Sequence, residues 1–165
     1  MIATSTLTLT VTVDSPVGPL TLTAVEDRLT GLHMADQAHA PVQRTHWTED
    51  PDSFSEVSGQ LAAYFAGDLT EFDIPLRLVG TDFQRQVWEV LRQIPYGETW
   101  SYAEVAAKIG NARACRAVGL ANGRNPIGII VPCHRVIGAH GALTGYGGGL
   151  DRKAWLLHHE RRSRG

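Results

Sequence analysis

The sequence predicts an α+β protein in two parts, a small sheet with one helix over residues 1–78 and a mostly helical part over residues 79–165. Three observations lead there. Apolar residues alternate strictly with threonine from Leu7 to Val13, the period of a strand with one buried face, and the alternation resumes at Leu20, Leu22 and Ala24. From Thr81 onward the apolar residues recur at helical spacing instead, behind residues that cap helix N-termini. The charge divides at the same place: residues 1–81 hold 3 basic and 11 acidic side chains, and residues 82–165 hold 12 basic and 6 acidic, within a net charge of −2.

Each element follows in order. "Asp14-Ser15-Pro16-Val17-Gly18" is a turn that makes the first two strands a hairpin, and a third short strand is expected from Leu29 to Met34. The polar stretch from His39 to Pro51 reads as a loop. Phe54, Val57, Leu61, Tyr64 and Phe65 mark a helix that Gly67 is placed to stop. "Thr81-Asp82-Phe83-Gln84" is a capping box opening a helix with Phe83, Val87, Leu91 and Ile94 on one face, ended by "Pro95-Tyr96-Gly97". "Ser101-Tyr102-Ala103-Glu104" is a second capping box, and its helix runs to about Ile109. Beyond a turn at Gly110-Asn111, a third helix spans Ala112 to Ala121, rich in alanine and glycine. Two short helices across a glycine turn make a helix-turn-helix pattern, weakly specific alone. Ile127 to Val131 reads as a buried strand or extended segment that Pro132 bars from further pairing. The glycine-rich stretch from Gly138 to Gly149 reads as a loop. Asp151 is expected to cap a last helix carrying Ala154, Trp155, Leu156, Leu157 and Glu160, and Arg161 to Gly165 is expected to be a frayed basic tail.

Composition excludes several classes. A chain of 165 residues with 43% hydrophobic residues can bury a core, and it has no apolar stretch long enough to span a bilayer, so no membrane partner is expected. Met1 to Val13 carries no Lys or Arg and does not read as a signal peptide. Two cysteines make no disulfide scaffold, so a reduced, cytoplasmic setting is expected. The 13 arginines against 2 lysines favour planar, bidentate contacts with anions. The charge split fits a second half that meets a polyanion, and it fits equally two oppositely charged faces holding the halves together. His33, His39 and His46 lack cysteine partners at zinc spacing, so no metal is expected.

The chemistry concentrates in "Ile130-Val131-Pro132-Cys133-His134-Arg135-Val136-Ile137-Gly138". A cysteine attacks as thiolate, and its pKa falls beside imidazole or cations. Neighbouring side chains of an extended segment point to opposite sides, so His134 would take the proton of Cys133 through a bridging water. His134 then needs an acid on its other nitrogen. Glu160, on the last helix, is the favoured candidate among the six acids of the second half. The competing reading makes Cys133 a small buried hydrophobe, the commoner fate of a lone cysteine.

"Pro132-Cys133-His134-Arg135-Val136" resembles the active-site signature of the O6-alkylguanine-DNA alkyltransferases. The resemblance runs from Thr81 to about Glu160, through "Ile94-Pro95-Tyr96-Gly97-Glu98-Thr99", "Ser101-Tyr102", "Arg116-Ala117-Val118-Gly119", "Asn125-Pro126" and "Gly145-Tyr146-Gly147-Gly148-Gly149-Leu150", all in the family's order. It implies a ribonuclease-H-like α/β domain packed on a C-terminal helical domain that bears the helix-turn-helix and the active-site loop. It implies single-turnover repair, in which the alkyl group on guanine O6 moves irreversibly to Cys133 without any cofactor. His134 would take the thiol proton and Glu160 would orient His134. Tyr102 would donate to the guanine and crowd the phosphate, and Asn125 would tie the recognition helix to the active-site segment. Pro132, Val136, Tyr146, Gly147 and Gly148 would line the pocket. Arg116 would fill the gap left by the extruded base, with Ala117, Gly119 and Ala121 permitting close approach to the minor groove. The implied partner is double-stranded DNA containing O6-alkylguanine, met by a monomer that can cluster on DNA.

The chain departs from the family pattern in three places. Gly147 stands where many relatives place serine, Cys115 where alanine is common, and the N-terminal zinc ligands of some relatives are absent. Three rival readings remain: a lesion-binding protein without transfer, against which Cys133 argues directly; a cysteine-sensing DNA-binding regulator; and a cysteine hydrolase, for which no oxyanion-hole signature is present.

Overall fold

The structure, a computed structural model, describes residues 7–38, 40, 46–143 and 146–164. Strands β1 (Leu9–Val13), β2 (Leu20–Val25), β3 (Arg28–Met34) and β4 (Thr48–Glu49) form one sheet in the order β3-β2-β1-β4. The first three are antiparallel neighbours, as the alternation predicts. Glu26 and Asp27 turn the β2–β3 hairpin with φ of 49° and 64°, the left-handed pair whose twist suits a two-residue connection. β4 pairs parallel with β1 inside the stretch expected to be a loop. His39 and residues 41–45 of that stretch, residues 1–6, and Gly145 lie outside the described residues.

Helix α1 (Ser55–Ala66) buries Val57, Leu61 and Tyr64, and ends on Gly67 at φ 84°, where the glycine N–H bonds the Tyr64 carbonyl. Helices α2 (Asp82–Leu91) and α3 (Tyr102–Lys108) open on the two expected capping boxes, each complete in both hydrogen bonds. Between them β5 (Trp100–Ser101) pairs parallel with β6 (Val136–Ile137), a contact that two-residue segments do not announce in sequence. Helix α4 (Cys115–Gly123) starts three residues later than expected, because Asn111 to Ala114 close a turn first. Trp88 of α2 is buried and donates its Nε1–H to the Ala121 carbonyl at 2.9 Å, fixing α4 to α2. Helix α5 (Leu150–Arg164) takes in the expected frayed tail as far as Arg164, so that expectation is corrected there, Gly165 lying outside the described residues: Arg161 and Arg162 stand in the last turns, where cations favour a helix C-terminus. Asp151 sits in its first turn.

The second correction concerns Ile127 to Val131, which is no strand. Ile127 makes one parallel bridge to Leu32 of β3, with the Leu32 N–H on the Pro126 carbonyl and the Gly128 N–H on the Leu32 carbonyl. The chain then folds back on itself. The Ile130 N–H reaches the Gly128 carbonyl at 2.8 Å across Ile129, whose φ is 69°. That is a γ-turn with a positive central φ, rare for any residue and an outlier for a β-branched one. Full burial of Ile127 and Ile129 offsets a strain of about 1–3 kcal/mol. The apolar run therefore seals the junction between sheet and helices.

Candidate active site

Two further short turns deliver the thiol. The Cys133 N–H bonds the Val131 carbonyl at 2.8 Å across Pro132, whose φ of −81° and ψ of 63° make an inverse γ-turn. Cys133, His134 and Arg135 then form one turn of 3-10 helix, all three buried. The segment is thus coiled where an extended one was expected. Asn125, just after α4, holds it from both sides: its Nδ2 donates to the Val131 carbonyl at 2.7 Å and its Oδ1 accepts from the Ile127 N–H at 3.0 Å. Asn122 of α4 adds a donor to the Cys133 carbonyl at 3.4 Å.

Behind the thiol lies a buried carboxylate with five donors. Glu160 Oε2 accepts from His134 Nε2 at 2.6 Å, from the Tyr64 hydroxyl at 2.6 Å and from Arg135 Nη2 at 3.0 Å. Its Oε1 accepts from Arg135 Nε at 2.8 Å and from the Gly97 N–H at 3.3 Å. Arg135 also donates Nη1 to the Ile94 carbonyl at 2.7 Å and lies over the Tyr96 ring. Burial acts to raise the Glu160 carboxyl, but the charge and hydrogen bonds of His134 and Arg135 outweigh it and hold the group well below the usual carboxylate range.

With Glu160 ionised, its contact fixes a proton on His134 Nε2. The other nitrogen, Nδ1, is then the acceptor, and it is buried without a hydrogen-bond partner among the described residues. Burial lowers the His134 pKa, against the pull of Glu160, so the imidazole is neutral at neutral pH. Burial likewise raises the Cys133 thiol, while the Asn125 hydrogen bond and the Lys153 cation pull it down. The expectation of a lowered thiol is therefore corrected: burial favours the protonated sulfur.

Lys153 of α5 is fully buried and donates Nζ to the Val136 carbonyl at 2.5 Å. Burial pushes its pKa down to about 8, against the pull of Cys133. Tyr146 stands close enough that an ionised Cys133 adds to the burial that raises its phenol. Around it the glycines leave little room. A Cβ on Gly148 would lie 2.6 Å from Met34 Sδ and 2.7 Å from Tyr146 Cε2, and Gly147 faces Gln37 and Ala38.

The helices beside this site present two stripes. On α4, Val118, Ala121 and Asn122 face inward and Arg116, Ala117 and Leu120 face outward. Tyr102, at the start of α3, packs its ring on Gly119, where an added Cβ would stand 3.7 Å from Tyr102 Cε1. Ala121 is 3% exposed, which corrects its placement on a DNA-facing surface: position 121 falls on the inward stripe three residues after Val118.

Comparison with known proteins decides what this arrangement belongs to. Residues 82–162 match the family model of the 6-O-methylguanine DNA methyltransferase DNA-binding domain, and residues 8–78 match the ribonuclease-like domain of the same methyltransferase. The chain belongs to the 6-O-methylguanine DNA methyltransferase family. It is 63% identical over 150 residues to the methylated-DNA–protein-cysteine methyltransferase of Mycobacterium tuberculosis, covering 91% of this chain and 90% of the relative. The protein of that name from Methanosarcina acetivorans is 53% identical over 144 residues, covering 87% and 92%. A crystal structure of Mycobacterium tuberculosis OGT in complex with DNA has a TM-score of 0.90 at 61% identity, covering 94% of each chain.

For a methyltransferase of this family, the structure brings Cys133, His134, Glu160, Asn125, Pro132 and Val136 into one connected buried cluster, with Tyr146 within electrostatic reach of the thiol. Gly147 and Gly148 sit at the end of β3. Tyr102 and Arg116 stand apart from the carboxylate, on the α3–α4 face. Sequence reasoning missed Tyr64 and Lys153 as neighbours of the site, and it placed Arg135 beside the thiol without foreseeing its grip on Glu160. One signal was present for Lys153: a lysine is exceptional in a chain with 13 arginines, and this one precedes an apolar run.

Proposed function

We propose that this protein repairs DNA by moving the alkyl group of an O6-alkylguanine base onto Sγ of its own Cys133, once per molecule. The observation that carries the reading is His134, held by Glu160 through Nε2 and free to accept at Nδ1 one residue from a buried thiol. A bridging water passes the thiol proton to Nδ1. The sulfur then forms a bond to the alkyl carbon as the carbon–O6 bond breaks, and Tyr102 supplies a proton donor to the departing guanine. The product is a thioether, which has no good leaving group, so no step returns the thiol. No cofactor enters the reaction.

The target base must leave the duplex to reach a buried sulfur, at a cost of a few kcal/mol. The α3–α4 pair, read as a helix-turn-helix, supplies the surface for this: Arg116 and Ala117 face outward, and Arg116 fills the space of the extruded base. Phosphate contacts supply most of the affinity, so binding weakens as salt rises. The relative crystallised with DNA supports DNA as partner. The reading treats the protein as a monomer, with a division between its two parts near residue 78. The experiment is intact-mass analysis after mixing with excess duplex containing O6-methylguanine. One methyl gained, mapped to Cys133 and absent from Cys133→Ala, is expected. Repeated turnover, or no gain in mass, would refute the reading.

A further inference from the structure

We propose that Tyr64, a residue of the sheet-bearing half, is a positioning residue for the relay: its hydroxyl sets how strongly Glu160 draws a proton onto His134. This rests on the reading of Cys133, His134 and Glu160 given above.

The geometry is a competition for one oxygen. The Tyr64 hydroxyl and His134 Nε2 both donate to Glu160 Oε2 at 2.6 Å, and Arg135 Nη2 donates to the same atom at 3.0 Å. A carboxylate oxygen offers two lone pairs, so three donors share them. Every donor that takes charge from Oε2 weakens its pull on the imidazole proton. Tyr64 is placed to do this permanently. Its ring is fully buried among Phe65, Phe72, Tyr96 and His159, and its phenol is raised far above the ordinary range by burial and by the charge of Glu160, so it always donates.

The hydroxyl is also separable from the scaffold. The carboxylate keeps its orientation without it, because Arg135 grips both oxygens and the Gly97 N–H holds Oε1. Helix α5 stays tied to α1 without it, because His159 Nε2 bonds the Tyr64 main-chain carbonyl at 2.7 Å. The other ionisable groups facing the relay are Cys133 and Arg135 on the 3-10 turn, Lys153 on α5, and Tyr96 and Tyr146 on loops, and Tyr64→Phe leaves all of them in place. The first half of the chain thereby acts on a relay whose other members lie in the second half.

The test is Tyr64→Phe in the full chain, with two readouts across pH: imidazole NMR of His134, and the rate of Cys133 alkylation by iodoacetamide. His134 is expected to titrate about one pH unit higher, a tenfold gain in proton affinity, and the alkylation profile to move toward acid. In a Glu160→Gln background the same substitution is expected to move nothing. An unmoved His134, or one that titrates lower, would overturn the proposal. A His134 that moves while the Cys133 profile stands still would support the coupling and overturn the relay itself, so the two failures are distinct. Should the variant not fold, the parent answers alone: a slowly exchanging, downfield Tyr64 phenolic proton with a cross-peak to the His134 Nε2 proton is expected, and its absence overturns the proposal.

Discussion

Arg135→Met removes the only guanidinium that touches Glu160 among the described residues, and its cost can be worked from the contacts. Arg135 is 6% exposed and supplies two of the five donors to a carboxylate that is 0% exposed. Methionine fills similar volume and donates nothing. Breaking one side of a buried pair leaves an uncompensated charge, at about 3–5 kcal/mol. Against a total stability of about 5–15 kcal/mol this is a large fraction. For 165 residues the unfolding entropy is about 0.35 kcal/mol/K, so the midpoint of thermal unfolding should fall by about 9–14 °C. Urea unfolding with the slope m checked for constancy measures the loss at 25 °C. Adding Glu160→Gln removes the stranded charge and leaves an amide oxygen for Tyr64 and His134. The double variant should therefore be more stable than the sum of the singles by more than about 1 kcal/mol. Costs below about 1 kcal/mol for Arg135→Met, or strict additivity in the cycle, would refute the reasoning.

Three other outcomes are expected. Glu160 has a folded pKa depressed below its unfolded value of about 4.3, so its stabilisation is full above that value and is lost as pH falls toward the folded pKa. Stability should drop by about 1.4 kcal/mol per pH unit from this group below about pH 4, and acid titration of Glu160→Gln should show a shallower slope. Gly148→Ala must displace the Met34 sulfur or the Tyr146 ring; a loss of about 1–3 kcal/mol is expected together with slower single-turnover transfer to Cys133, and an unchanged rate would remove Tyr146 from the pocket. Arg116→Ala should slow repair of duplex DNA more than reaction with the free alkylated base, as measured by quenched single-turnover assays, since only the duplex requires extrusion; equal losses on both would give Arg116 another role.

The parts of this molecule that sequence reveals are those decided locally. The capping boxes at Thr81–Gln84 and Ser101–Glu104 and the stop at Gly67 each depend on residues within four positions, and all three form. The hairpin follows from a period of two. The turns around Cys133 were illegible because an apolar run of five has no periodicity that separates a strand from a folded-back segment, and nothing in Ile129 declares a positive φ. The pairing of His134 with Glu160 was reachable only because few acids compete for the role in the second half. Tyr64 was not reachable, since a tyrosine on an apolar helix face looks like any core aromatic until its hydroxyl is seen to meet a carboxylate.

Tyr64 and Glu160 stand 96 positions apart, and the remaining donors to that carboxylate come from two separate stretches between them, Gly97 and the His134-Arg135 pair. Few of these contacts can form early in folding, because each closes a long loop before it is rewarded. The relay should therefore assemble late, with the docking of α5, and dissolve early when α5 lifts away. Reactivity of Cys133 becomes a report on the whole chain: a partly folded molecule exposes a thiol with no base behind it. Hydrogen exchange at α5 and the alkylation rate of Cys133 should then follow one opening equilibrium.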